Sequence, residues 1–124
     1  MLTIRIRQEA DVVILDLDGI LDGGPQSRQV KDRVKEILQD GTRKIVLNLS
    51  AVEWANSLGI GVLIASFVSA KRAQAAVKFY GLNDRVRMVL KALDLIPDVF
   101  ECFDSESDAV RSFSQPAAVQ EGRS

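Results

Sequence analysis

The fold turns on Lys44 to Leu63, "KIVLNLSAVEWANSLGIGVL". Its first six residues form a nearly continuous apolar run, the pattern of a short strand with helices over both faces and parallel neighbours. "SAVEWANS" then reads as a loop. From Leu58 to Ala73 the apolar residues Ile60, Leu63, Ile64, Phe67 and Val68 return at helical spacing. Charge enters only at the end, where Lys71 and Arg72 suit the negative end of a helix dipole. Ser57 is placed to be the N-cap, its hydroxyl accepting a hydrogen bond from the first turn. Gly59 and Gly61 then fall in the first turns, where each costs about 1 kcal/mol relative to alanine. Two readings compensate: close packing of the helix on the sheet, or close approach of another backbone or a phosphate to free amide groups.

Upstream, Leu2, Ile4 and Ile6 alternate with Thr3, Arg5 and Arg7, and Val12 to Asp18 repeats the alternation. Period two predicts a hairpin through "QEAD", with Val13, Leu15 and Leu17 pointing inward and Ile14, Asp16 and Asp18 on the other face with the arginines. After "GILDGGP" the period changes. Val30, Val34, Ile37 and Leu38 mark a helix between Pro25 and Gly41. Downstream come a strand at "VKFYG", a helix capped by Asn83 with Val86, Val89, Leu90 and Leu93 inward, a strand at "DVFECF", and a last helix opened by Ser105 and Asp108 in a near capping box. The sum is an α/β fold, a mixed sheet of about five strands packed with about four helices. Residues 1–114 are expected to form one domain and 115–124, "QPAAVQEGRS", a disordered tail.

Composition narrows the chemistry. The chain has 124 residues, no histidine, one cysteine and a formal net charge of -1. A disulfide framework, a Cys/His zinc site and a Ser-His-Asp triad are absent by inventory. There is no basic excess for nucleic acid, and no apolar run long enough to span a bilayer. The expectation is a cytoplasmic protein that needs no cofactor or metal.

Asp16 and Asp18 in "VVILDLDGILDGG" (12–24) resemble the first motif of haloacid-dehalogenase-like phosphatases. The other parts of that motif set are missing: no later strand ends in paired carboxylates, and Ile20 stands where a threonine is usual. Cross-strand ion pairs with Arg5 and Arg7, worth about 0.2–1 kcal/mol each, account for the aspartates without catalysis. "DLDGILDGG" lacks the oxygen ligands of a calcium loop, and the "GIG" of Gly59 to Gly61 lacks the third glycine of a dinucleotide fingerprint.

Four segments taken together are similar to the STAS domain family, and within it to bacterial anti-sigma factor antagonists. They are "GILD" (19–22), "KIVLNLSAVEWANSLGIGVL" (44–63), "VKFYGLNDRVRMVLKALDL" (77–95) and "VFECFDSESDAV" (99–110). The resemblance runs from Leu2 to about Phe113 and implies a STAS-type fold. It implies a non-enzymatic switch: the antagonist binds an anti-sigma factor that is also an ATP-dependent serine kinase, and releases the sigma factor. Phosphorylation of the motif serine reverses this, and a phosphoserine phosphatase would restore it. The matching serine is Ser57, and Asp22 matches an aspartate whose loop lies beside it. The implied surface is Asp22, Gly23, Gly24, Asn56, Ser57, Leu58, Gly59, Ile60 and Gly61, with Leu58 and Ile60 as its apolar anchor, on a monomer or weak dimer. Asn56 stands where the motif usually has aspartate, and Leu58 where a small or hydroxyl residue is common. Other STAS proteins act as scaffolds of stress-signalling assemblies or subunits of lipid-transport ATPases, which is the alternative function.

Overall fold

The computed structural model describes residues 1–114; the predicted tail, 115–124, lies outside the described residues. Strands β1 (Leu2–Glu9) and β2 (Val12–Leu21) form the expected antiparallel hairpin. Helix and strand then alternate: α1 (Pro25–Gln39), β3 (Lys44–Ala55), α2 (Ser57–Arg72), β4 (Ala76–Tyr80), α3 (Asp84–Ala92), β5 (Cys102–Phe103) and α4 (Glu106–Ser112). The sheet order follows the chain, β1-β2-β3-β4-β5, and from β2 onward the pairs are parallel.

A sheet wound in one direction puts its crossover helices on one face. The main core accordingly joins Leu15, Leu17, Leu47 and Phe79 of the sheet to Val30 and Val34 of α1, Ile60 and Leu63 of α2, and Val86 and Leu90 of α3. The other face has a thinner cover. Among the described residues only α4 packs there, with Ala109 against Val12, Ile14, Val46 and Tyr80. Ile14 is therefore fully buried rather than sharing an open face with the arginines. Leu93, expected inward on α3, is exposed, since the helix ends one residue before it.

Of the expected loop "SAVEWANS", Ser50 to Ala55 are strand and form the second half of β3. Register against β2 slips between Asp16 and Asp18 and again between Gly19 and Ile20, so β3 carries extra residues there. Such bulges break the two-residue alternation. Leu49, Val52 and Ala55 are the buried positions of this half, three residues apart, a spacing that does not look like a strand. The extension carries the chain beyond β4, whose pairing with β3 stops at Asn48, and delivers α2 beside the end of β2.

Candidate functional site

Two chain turns meet at the carboxyl ends of β2 and β3. Backbone contacts hold them together: the Asn56 N–H donates to the Leu21 carbonyl at 3.1 Å, and Gly59 packs so closely that a Cβ there would collide with the same carbonyl. Gly23, at φ +84°, lies against Leu58, and a side chain at Gly23 would strike the Leu58 Cβ. Residues Asp22 to Gly24 and Asn56 to Gly61 thus adjoin.

The cap of α2 is Asn56 rather than Ser57, whose expected role it takes. The Asn56 Oδ1 accepts from the Gly59 N–H at 2.8 Å, so the helix begins one residue earlier than the apolar pattern suggests. Ser57 becomes the first helical residue. Its hydroxyl is exposed and makes no hydrogen bond among the described residues. No acidic residue occupies that first turn, so the positive end of the dipole is uncompensated.

Leu58 is 70% exposed, whereas Ile60 is fully buried in the main core. The expected anchor pair is thereby reduced to Leu58, because helical geometry sends residues 58 and 60 to different faces. The two glycines also part company. Gly59 is required by the sheet, while at Gly61 a Cβ would meet nothing within 4 Å. Close packing of the helix on the sheet explains Gly59 and not Gly61. Gly61 instead borders a depression of 280 Å³ between α1 and α2, which Gly23, Leu58 and Val62 share with Arg28 and Lys31. The two cations, three residues apart on α1, were not singled out from sequence for this place; only their spacing on one helix face signalled a common direction.

Asp22 is exposed and organises the start of α1. Gly24 offers no side-chain cap; the Asp22 Oδ1 accepts from the Gly24 N–H at 2.9 Å and lies 3.2 Å from the Ser27 Oγ, which itself accepts from the Asp22 N–H. Those bonds, the Gly24 N–H foremost, hold the Asp22 carboxyl below its usual range. Ser27, buried at the third position of α1, is a supporting residue the sequence did not mark.

Asp16 is elsewhere. It sits five residues before the end of β2, on the face covered by α4, and both its oxygens are engaged by Arg7 at 2.7 and 3.0 Å, with Asn48 donating at 2.8 Å. Arg7 also clasps Glu106 of α4, and the Tyr80 hydroxyl donates to Glu106 at 2.9 Å. The Arg7 hydrogen bonds lower both carboxyls, and burial followed by the Glu106 bond pushes the Tyr80 hydroxyl up to about 12. Arg5 reaches Asp16 at 3.7 Å, so one aspartate collects both arginines; Asp18, opposite Thr3, is exposed and unpaired among the described residues. The paired aspartates of the sequence are thus separated by environment, and no group of acidic or sulfur residues able to hold a metal occurs among the described residues.

The STAS domain family model matches residues 3–109. The chain belongs to the STAS domain family. A candidate anti-sigma factor antagonist from Thermotoga maritima superposes with a TM-score of 0.82 at 26% identity, covering 90% of this chain and 95% of that one. An anti-sigma factor antagonist from Mycobacterium paratuberculosis gives 0.79 at 16% identity, over 93% and 96%. The Bacillus cell fate determinant SpoIIAA in its phosphorylated form gives 0.70 at 17%, over 90% and 99%. The last two, at such low identity, speak to the STAS fold alone. Among curated proteins no sequence matches this STAS chain. No helix among the described residues is long and apolar enough to cross a membrane.

Proposed function

We propose that this STAS protein is an anti-sigma factor antagonist, a non-enzymatic switch that binds a cognate anti-sigma factor with serine-kinase activity and frees the sigma factor. Phosphorylation of Ser57 turns it off. The observation that carries the reading is the exposed, unbonded Ser57 hydroxyl at the first position of a helix with no acid in its first turn. A kinase can reach that oxygen without unfolding anything.

A phosphoserine adds about -1.5 to -2 charge at pH 7. Within this domain the charge sits at a positive dipole end, so the fold is preserved. In a partner interface beside exposed Leu58 and Asp22 the same charge must be desolvated and lies near another anion, which can cost several kcal/mol. At about 1.4 kcal/mol per tenfold in affinity, that is a switch. Leu58 supplies the apolar contact, and Asp22 to Gly24 form the adjoining wall.

The test is incubation with ATP and the cognate anti-sigma kinase, followed by intact mass and a binding titration. One phosphate on the wild type, none on Ser57→Ala, and lost binding by Ser57→Asp are expected. If wild type and Ser57→Ala both stay unmodified and Ser57→Asp binds as wild type does, the switch is refuted and a constitutive STAS scaffold replaces it.

A further inference from the structure

Away from Ser57, α3 and β5 border a groove of 380 Å³, within the range of small-ligand pockets. Its floor is Phe100, only 1% exposed, stacked on Phe79 with ring centroids 4.4 Å apart and tilted against Phe67 at 5.3 Å. A floor braced by two other rings does not collapse to fill the space above it. Ile96 and Phe103 add apolar walls.

Two cations line the same groove. Arg87 and Lys91 are four residues apart on α3, where like charges repel, and neither joins an ion pair among the described residues. The one carboxylate of the lining, Glu101, lies 3.7 Å from Lys78. Cys102 contributes a neutral wall: burial pushes its thiol up to about 11, against the pull of the Arg87 charge, so it is no nucleophile at neutral pH.

We propose that this groove binds a small amphipathic carboxylate, its anionic end met by Arg87 and Lys91 and its apolar body lying over Phe100 between Ile96 and Phe103. A carboxylate fits better than a phosphate dianion because Lys91 belongs to the last turn of α3, where the helix dipole is negative and a second charge is disfavoured. The half-buried walls Ile96 and Phe103 disfavour a bare inorganic anion, since it would leave their apolar surface uncovered. The site is independent of the Ser57 reading.

The experiment is a titration of the ¹⁵N-labelled full chain with hexanoate and, separately, phenylacetate, with 1-hexanol as the uncharged control. Saturable amide shifts confined to residues 87–103 are expected, with affinity weakened about tenfold or more for 1-hexanol and for the Arg87→Ala/Lys91→Ala variant. Both side chains are at the surface, so the variant should keep the wild-type spectrum elsewhere. Shifts that fail to saturate with either acid, or that are as strong with 1-hexanol or in the double variant, overturn the proposal.

Discussion

Helices α2 and α3 begin alike and end up with different tasks. Each is capped by an asparagine whose Oδ1 accepts from the backbone N–H three residues on, at 2.8 Å in both. In α3 everything around the cap is committed. The Asn83 amide donates to the Val52 and Glu53 carbonyls, Asp84 places a negative charge in the first turn, and Val86 is buried. In α2 the cap is made and the rest is left open: Ser57 and Leu58 face outward, no acid answers the dipole, and a side chain at Gly61 would meet nothing within 4 Å. A helix start that anchors the fold spends its polar groups and small positions internally. One that keeps them free pays in helix propensity and retains them for another molecule.

The comparison can be broken most sharply at Gly59, the residue of α2 that does serve the fold. Gly59→Ala drives a Cβ into the Leu21 carbonyl, and a loss of about 2–3 kcal/mol is expected in urea unfolding. Next in size, Asn83→Ala removes a cap and two further bonds and should cost about 2 kcal/mol, whereas Asn56→Ala should cost about 1 kcal/mol. Equal losses would show that α2 is anchored as firmly as α3. Gly61→Ala should have the opposite sign, raising stability by up to about 1 kcal/mol in the same assay while weakening binding to the cognate anti-sigma factor. A destabilised Gly61→Ala protein would mean that the open space beside α2 is filled in solution.

The smallest expected effect sharpens the contrast from a third helix start. Glu106 opens α4 and is held by Arg7 and Tyr80, as Asp16 is held by Arg7 and Asn48. Both carboxyls lie below their unfolded values, so their contribution is fully present above about pH 4–5 and is lost as pH falls through the folded values. Stability should therefore fall on acidification, and Arg7→Met should flatten that pH dependence. Because these groups are partly exposed, solvent screening keeps the effect small. An unchanged profile in Arg7→Met would remove the clasp from the account of α4.

Much of this could be read from the chain. Period two in "LTIRIRQE" and the shift to helical spacing after Pro25 are local patterns, and they place the hairpin and α1, although Ile6 of that alternation ends up exposed. Asn83 and Ser105 marked the starts of α3 and α4 because capping is a property of a few adjacent residues. The similarity to STAS sequences named Asp22 to Gly24 and Asn56 to Gly61 as positions, which the fold brings side by side while burying Gly59 and Ile60. The second half of β3 was not legible, because bulges gave Leu49, Val52 and Ala55 a three-residue spacing.

What the sequence determined by itself was the order of elements, the chemistry on offer and the family pattern, all of which depend on neighbours within a few residues. Only the tertiary structure decided that Gly59 is needed by the Leu21 carbonyl and Gly61 by nothing inside the domain. It alone buried Ile60 while exposing Leu58, and gave Asp16 to Arg7 while leaving Asp18 in solvent. The glycine and Ile60 choices rest on contacts between segments more than thirty residues apart, and the aspartate choice on the register of the β1-β2 hairpin together with Glu106 of α4, which shares Arg7. No local pattern carries that information, because identical residue types at adjacent positions acquire different roles from what is packed against them.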